Sequence, residues 1–275
     1  MNVRLLTQES FMNWAENKSG SSRIRGRWLV KYWDEAEEYT IGDKPDVMIF
    51  QKAYWKEMMR EMSCIKILDI CDPDFLEGPE AVGIVEIMNY CDACVTSTEA
   101  LAIEIRKYTD KPVVCIPDRF DLEEFKHPKF EHAGPVKKAI WYGYAHNAQV
   151  LEPVYSLLKQ LDIRLLVVSD KAIMEADEWV QYDWASIHTH IKACDIVIMP
   201  NHTSRIYKSN NKTVESWLCG MPVAHNYEDL IRLMDPVERD KEAKEKLEYA
   251  TKEYDIRKSV EQYKQLISEL TKLGK

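Results

Sequence analysis

Short apolar runs alternate with stretches of helical periodicity, and this alternation is interrupted once and then resumes. The interruption covers 126–137, which carries two Pro and one Gly and has no apolar period, as an interdomain linker does. Strands that alternate with helices form parallel sheets whose faces are covered by the helices. The sequence therefore predicts two α/β domains, at 1–128 and 137–255, followed by a helix over 256–275.

The predicted strands form two sets of apolar runs. Those of the first domain are 3–7, 46–50, 64–69 and two further runs within 91–97 and 111–117, and those of the second are 139–142, 163–169, 179–183, 196–199 and 222–225. The first helix follows a Gly/Ser loop and is expected to be capped by Ser21 or Ser22. The last helix has an apolar face that consists of Val260, Tyr263, Leu266, Ile267 and Leu270.

The overall charge and hydropathy restrict the functional classes to which this chain can belong. The chain of 275 residues has a net charge of −9, which argues against a general nucleic-acid binder because such proteins neutralise phosphates with Lys and Arg. No apolar run approaches the roughly 18–20 residues that span a bilayer. The first residues are typical of a strand and lack the features of a signal peptide, so we expect a cytoplasmic protein without a transmembrane segment.

The seven cysteines are scattered and odd in number, which does not indicate a disulfide framework. Cys91 and Cys94 form a Cys-x-x-Cys pair, but a zinc site needs two more ligands at matching spacing, and none is evident in the sequence. Buried thiols are the favoured interpretation, with a redox or metal role as the alternative.

A polar loop and a helix follow the predicted strand at 196–199. Ser209 or Asn210 is positioned to cap the helix, and Gly220 to end it. The loop would present backbone N–H groups at the positive end of the helix dipole, a combination that binds phosphate. Lys212 adds a full positive charge there. Glu215 lies within one turn of Lys212, where a carboxylate can accept two hydroxyls of a ribose.

The pattern Asn-Lys-x-x-Glu-x-x-x-x-Gly-x-Pro-Val at 211–223 resembles the donor-binding segment of group 1 (family 4-like) glycosyltransferases. A second similarity spans 91–125, where this family has Asn-Gly at the position of Asp118-Arg119. The resemblance implies the GT-B fold, in which two Rossmann-like parallel-sheet domains face a cleft and the C-terminal helix crosses back onto the first domain.

The resemblance also implies an activity. Enzymes of this family transfer a sugar from a nucleoside diphosphate sugar to an acceptor hydroxyl with retention of configuration, and generally without a metal. The donor would be bound by its ribose at Glu215 and by its diphosphate at the preceding backbone amides, and no further cofactor is expected. The predicted substrate-binding residues are Arg23, Gly143, Asn147, Tyr207, Ser209, Asn210, Asn211, Lys212, Thr213 and Glu215.

Charge that develops on the leaving nucleoside diphosphate needs a cation, and Lys212 is the first choice because it lies within the matching motif. Arg205, Lys208 and the arginines at 23–27 are further candidates, since the loop after the first strand approaches the donor phosphates in this family. The alternative for the arginines is the solvated outer face of an amphipathic helix. Asp72 and Asp74 follow a predicted strand at the edge of the sheet where parallel sheets bind ligands, so either can act on the acceptor side or as a base. The predicted catalytic residues are Asp72, Lys212 and Arg205.

Several polar and aromatic residues have two interpretations each. His146 and Asn147 are either in contact with substrate or ordinary loop residues, and Tyr182 or Trp184 either stacks on the nucleobase or belongs to the core. His202 is a weaker candidate for the same region, and Thr98 is expected to cap a helix.

Two departures from the family pattern keep other functions open. Tyr207 stands where the family has a first Glu that commonly contacts the donor sugar, and Tyr144 stands where an Arg often pairs with a Lys on the diphosphate. A non-catalytic GT-B-like protein that binds sugar nucleotides is therefore one alternative, and a sugar-nucleotide epimerase is another. The acceptor remains open among a glycan, a lipid, a small molecule and a modified nucleic-acid base, and the oligomeric state is not indicated.

Overall fold

The computed structural model of the protein describes residues 1–10, 19–76, 81–173, 176–200 and 206–273. The chain forms two compact units. The N-terminal unit comprises Met1–Asp121, Ile206–Ser209 and Asp255–Lys275, and the C-terminal unit comprises Leu122–Arg205 and Asn210–Tyr254. The last helix therefore belongs to the N-terminal unit.

Eleven strands are present in the described residues. They are β1 (Val3–Thr7), β2 (Ala36–Glu38), β3 (Val47–Gln51), β4 (Ile65–Ile70), β5 (Ala93–Thr96), β6 (Val113–Cys115), β7 (Lys138–Tyr142), β8 (Arg164–Ser169), β9 (Glu178–Gln181), β10 (Ile196–Ile198) and β11 (Val223–Ala224). The first six form a sheet in the order β2-β1-β3-β4-β5-β6, and the last five form a sheet in the order β11-β10-β7-β8-β9. Every pair of neighbouring strands is parallel.

The helices lie between the strands and after them. They are α1 (Gly20–Ser22), α2 (Trp28–Lys31), α3 (Lys56–Glu61), α4 (Ala81–Ile87), α5 (Glu99–Ile105), α6 (Glu152–Gln160), α7 (Trp184–Lys192), α8 (Asn211–Leu218), α9 (Tyr227–Arg232), α10 (Pro236–Glu253) and α11 (Ile256–Leu273). A π-helical turn, Arg23–Arg27, joins α1 to α2, and 3₁₀ turns precede or follow several of the others.

The predicted alternation of strands and helices is confirmed in both units, with one strand added. The sequence did not predict β2, because its three residues, Ala-Glu-Glu, form a half-exposed edge without an apolar run. The central strand β3 is buried along its whole length, as expected where helices cover both faces of a parallel sheet.

The capping residue was predicted correctly at the start of α5 and at the end of α8, and incorrectly at the start of α1. Ser19, and not Ser21 or Ser22, accepts the hydrogen bond from the Ser22 amide that caps α1. Thr98 caps α5 as expected, its hydroxyl accepting from the Leu101 amide at 3.2 Å. Gly220 follows α8 with φ of 74°, the left-handed conformation that glycine adopts at helix ends.

The predicted apolar face of α11 is buried in the N-terminal unit, where the helix contacts α2 and β4. Its residues in this buried face are Val260, Tyr263, Leu266, Ile267 and Leu270. On the opposite side of the same sheet, the sulfurs of Cys91 and Cys94 lie 3.6 Å apart in the core, and both cysteines are free thiols.

The buried guanidinium of Arg25 connects its own π-helical turn with β4, with the loop after β6 and with α11 in the N-terminal unit. Arg25 Nε donates to both carboxylate oxygens of Asp69 at 2.9 Å, and Nη1 donates to Asp118 Oδ1 at 2.7 Å. The Tyr263 hydroxyl on α11 donates to Asp69 Oδ2 at 2.7 Å. Burial disfavours the charge of Arg25, but the carboxylate of Asp69, with Tyr263 and Asp118, raises the pKa of Arg25 above its ordinary value.

This network corrects one sequence-based expectation. The arginines at 23–27 were predicted to face an anionic ligand, but Arg25 is 3% exposed and its charge is used by Asp69 and Asp118. Arg23 is also buried, with its guanidinium 5.6 Å above the ring of Trp28. The π-helical turn thus directs Arg23 and Arg25 inward.

The C-terminal unit includes the segment that the sequence assigned to the linker. The Lys129 amide donates to the Cys219 carbonyl at 2.9 Å, and His132 Nε2 lies 2.8 Å from the Gly220 carbonyl oxygen. Arg239, buried on α10, donates to the carbonyls of His132 and Gly134. Residues within the predicted linker are therefore packed against the end of α8.

Replacement of Arg25 by Met is expected to destabilise the N-terminal unit by about 3–5 kcal/mol, because it leaves two buried carboxylates without a cation. The measurement is chemical unfolding followed by circular dichroism. Arg27→Met on the same helical segment is the control, since Arg27 is half-buried and loses less than about 1 kcal/mol. Equal losses for the two variants would contradict the role assigned to Arg25.

Candidate functional site

The first turn of α8 is fixed to the end of β7 by hydrogen bonds to one carbonyl. Tyr142, the last residue of β7, donates from its hydroxyl to the Lys212 carbonyl oxygen at 2.7 Å, and Ser216 Oγ donates to the same oxygen at 2.7 Å. Burial, followed by the charge of Glu215, raises the pKa of Tyr142 well above its ordinary value, so the hydroxyl keeps its proton. The helix that carries the motif is thereby held against the sheet of its own unit.

Gly143 makes room for the ammonium group of Lys212. A Cβ placed on Gly143 would lie 2.5 Å from Lys212 Nζ and 3.1 Å from the ring of Trp141. Lys212 Nζ lies 5.7 Å from the centroid of that same ring. The lysine therefore crosses the end of β7 and places its charge beside the first turn of α8. A full positive charge at the positive end of a helix dipole attracts an anion.

Asn210, one of the two predicted capping residues, lies at the cap position of α8. Its side chain makes no capping hydrogen bond among the described residues. Ser209, the other alternative, donates from its hydroxyl to Asp118 Oδ2 at 2.6 Å within the N-terminal unit. Asn211 and Thr213 lie in the first turn of the helix itself. The predicted side-chain cap is thus absent from α8.

Glu215 is buried one turn further along α8 and contacts a residue that the sequence did not single out. His188 Nε2, on α7, lies 3.2 Å from Glu215 Oε1. The imidazole lies between two aromatic rings, with its centroid 4.6 Å from that of Phe125 and 4.8 Å from that of Trp184. Trp184 therefore contacts His188 and is partly buried against the core of the C-terminal unit, as is Tyr182.

The predicted donor residues Tyr207 and Ser209 lie in the segment 206–209, which belongs to the N-terminal unit. The Tyr207 hydroxyl donates to Glu104 Oε2 at 3.2 Å, and Thr98 Oγ1 donates to the Tyr207 carbonyl at 3.0 Å. Two residues later, Ser209 makes its bond to Asp118. This segment is therefore held by the side chains of α5 and of the loop after β6.

Asp72 and Asp74 follow β4 in the N-terminal unit and share a lysine. Lys52 Nζ lies 2.8 Å from Asp72 Oδ2 and 3.1 Å from Asp74 Oδ2, and Lys208 Nζ lies 3.7 Å from Asp72 Oδ1. Burial acts against the charge of Lys52, but Asp72 in particular raises the pKa of Lys52 above its ordinary value. The Tyr54 hydroxyl donates to Asp74 Oδ2 at 3.2 Å. A charged cluster thus occupies the carboxyl-terminal ends of β3 and β4.

The loop after β7 carries the remaining predicted residues. Asn147 Nδ2 and His146 Nε2 lie 3.0 Å apart, and the His146 ring stacks on that of Tyr144 with 5.6 Å between the centroids. The Ala145 amide donates to Asp170 Oδ1 at 2.6 Å, which fixes the start of the loop. His146 and Tyr144 are exposed and Asn147 is half-buried.

Two predicted residues, Arg205 and His202, lie outside the described residues. Within the described ranges, no group of three or more His, Cys, Asp or Glu side chains is arranged to hold a metal ion. Over the same part of the chain, no helix combines the length and the apolar character that crossing a membrane requires.

Sequence reasoning missed His188 and Tyr142 at this site. His188 lies between the core residues Ile187 and Ile191 on α7, and Tyr142 ends an apolar strand, so both follow the pattern of buried positions. The significance of their polar atoms comes from contacts with α8. Glu215 lies 27 residues after its partner His188, and Lys212 lies 70 residues after its partner Tyr142. No local signal in the sequence marks these contacts.

The arrangement of strands and helices is shared with proteins of known structure. HepE of Anabaena in complex with UDP is similar with a TM-score of 0.70 at 12% identity, over 98% of this chain and 100% of HepE, and its complex with UDP-glucose gives a TM-score of 0.72 at 12% identity over 97% and 99%. The α,α-trehalose 6-phosphate synthase of Burkholderia multivorans gives 0.55 at 10% identity, over 83% of this chain and 70% of the synthase.

No protein-family profile matches this sequence, and no curated protein matches it. At identities of 10–12%, the likeness to solved structures establishes the fold. The chain has the GT-B fold, as the resemblance of its motifs implied.

Gly143→Ala is expected to destabilise the protein by about 1 kcal/mol, because the new methyl group displaces the flexible end of Lys212 and comes within 3.1 Å of the Trp141 ring. The measurement is the unfolding free energy of the variant and of Gly143→Ala combined with Lys212→Ala. The cost of the glycine substitution should fall when Lys212 is truncated. Gly83→Ala on α4 is the control, since no atom lies within 4 Å of its added Cβ. An unchanged cost in the two backgrounds would contradict the contact.

Proposed function

We propose that this protein transfers a sugar from a nucleoside diphosphate sugar, with a uridine diphosphate sugar as the first candidate, to the hydroxyl of an acceptor. The observation that carries the proposal is the first turn of α8. It combines a helix N-terminus, the Lys212 ammonium above Trp141, and the buried Glu215 carboxylate one turn later. HepE, which shares the fold, was solved with UDP and with UDP-glucose, and this supports the uridine class.

The proposed mechanism assigns separate parts of the donor to these groups. The backbone amides of the first turn of α8 and the Lys212 ammonium hold the diphosphate, where negative charge increases as the bond to the sugar breaks. Glu215 accepts hydrogen bonds from the hydroxyls of the ribose. Since the hydrogen bonds to the Lys212 carbonyl fix this turn before any ligand binds, the donor meets a preorganised site.

On the acceptor side, we assign the acceptor hydroxyl to Asp72, with Asp74 beside it. Lys52, which follows β3, holds both carboxylates beside the end of β4, and ligands of open parallel sheets bind at these strand ends. Transfer with retention and without a metal is part of the proposal, with the protein contributing position and leaving-group stabilisation. A cytoplasmic location is also proposed, and the free thiols of all seven cysteines suit a reducing compartment.

A non-catalytic protein that binds sugar nucleotides is the second candidate. It is favoured by one observation: Tyr207 replaces the first Glu of the family pattern, and its hydroxyl is bonded to Glu104 within the N-terminal unit. The donor-binding half of the motif, from Asn211 onwards, is retained in both candidates.

The experiment that tests the proposal is a panel of UDP-, GDP-, ADP- and dTDP-sugars, scored first by the shift in melting temperature and then by release of the nucleoside diphosphate. A shift together with release supports the transferase. A shift without release across a broad set of acceptors supports the binding protein. A well-folded sample with no shift for any donor would refute both.

Glu215→Ala is expected to raise the Kd for the donor about 10- to 100-fold, since it removes charge-assisted hydrogen bonds to the ribose. Calorimetric titration with UDP measures this. Glu248→Ala, at an exposed position on α10, is the matched control and should bind normally.

Lys212→Met is expected to lower kcat about 100-fold, because it removes the cation that stabilises the leaving group. Initial rates of nucleotide release measure this, with Lys241→Met at an exposed position of α10 as the control. Turnover within about threefold of the wild type for Lys212→Met would exclude the role proposed for Lys212.

A further inference from the structure

The contact between His188 and Glu215 joins two helices of the C-terminal unit. His188 has a side-chain exposure of 17% and Glu215 of 8%, and His188 Nε2 lies 3.2 Å from Glu215 Oε1. An ionised carboxylate can only accept hydrogen bonds. The proton of the imidazole is therefore on Nε2, and His188 is the donor.

The imidazole of His188 is itself held in place. Trp184 lies four residues earlier on α7, so both side chains project from the same face of that helix. The Trp184 ring meets the imidazole edge-on at an interplanar angle of 75°, and the Phe125 ring lies against it at 34°. These two contacts leave the ring little freedom to rotate, so the direction of its Nε2–H bond is defined.

The hydrogen bond from His188 to Glu215 Oε1 also affects the orientation of the other carboxylate oxygen, Oε2. A buried carboxylate without a partner is costly, and a free glutamate side chain would lose rotamer freedom when a ligand binds. Because Oε1 accepts from His188, and a hydrogen at an sp² oxygen prefers to lie near the plane of the group, the contact restricts rotation of the carboxylate and favours one direction for Oε2. Two adjacent hydroxyls of a ribose need two acceptors in a defined plane.

We infer that His188 is a positioning residue for donor binding. It orients the Glu215 carboxylate so that two ribose hydroxyls are accepted without reorganisation of the side chain. This inference rests on the proposed function, since it assigns the ribose to Glu215. The ribose is remote from the bond that breaks, so the contribution of His188 is made equally in the ground state and the transition state.

The test is the His188→Phe variant, which keeps a ring between Phe125 and Trp184 and removes the donor. We expect the Kd for UDP and the KM for the donor to rise about 5- to 20-fold while kcat stays within about twofold. His188→Gln retains an N–H donor and should recover part of the affinity. His190→Phe, two residues away on α7, is the matched control and should bind UDP as the wild type does.

A double-mutant cycle separates positioning from packing. In the Glu215→Ala background, His188→Phe should leave the Kd for UDP unchanged, because the carboxylate it orients is gone. An equal fold-increase in both backgrounds, or wild-type affinity for His188→Phe, overturns the inference while the proposed function stands. If the wild type itself binds none of the nucleotides or nucleotide sugars, the proposed function fails and the inference falls with it. His188→Gln carries the test should the phenylalanine variant not fold.

Discussion

The buried guanidinium of Arg25 is the interaction on which the architecture of the N-terminal unit depends. It lies between Asp69 at the end of β4 and Asp118 after β6, and Tyr263 of α11 completes the set. A buried charge is tolerated only with partners in good geometry, so these elements are specified relative to one another within the unit. The C-terminal helix is thereby fixed to the first sheet by a polar contact as well as by its apolar face.

In the C-terminal unit, hydrogen bonds between neutral groups fix a helix to the sheet. The Lys212 carbonyl accepts from Tyr142 and from Ser216, so the first turn of α8 is attached to the end of a buried strand. Side chains on rigid elements hold a binding geometry better than side chains on loops. The positions of Lys212 and Glu215 are thus fixed by the attachment of α8 to the sheet. His188 in addition restricts the orientation of the Glu215 carboxylate.

The elements of the fold were predictable because apolar runs and helical periods are local properties of the chain. The positions of Lys212 and Glu215 on α8, and of Gly220 after it, were predictable because they belong to one short motif. The contacts of Arg25 and His188 were not predictable, since their partners Asp69 and Glu215 lie 44 and 27 residues away in the sequence. A basic residue after the first strand gives the same sequence signal whether it meets a ligand or an internal carboxylate, and only the packing of the sheet distinguishes the two.

Two of the departures from the family pattern, at Asp118 and Tyr207, concern the same segment. Asp118 stands where the family has Asn, and Tyr207 stands where it has the first Glu. Asp118 accepts from the Ser209 hydroxyl at 2.6 Å, while Tyr207 bonds to Glu104 at 3.2 Å, so both changes concern the segment 206–209.

The pattern from Asn211 to Val223 is complete, whereas Tyr207 in the N-terminal unit and Tyr144 in the C-terminal unit depart from what the family has. Asp118 and Tyr207 both make hydrogen bonds that hold the segment 206–209 within the N-terminal unit. Lys212 and Glu215, to which the proposed function assigns the diphosphate and the ribose, lie in the part of the pattern that is complete.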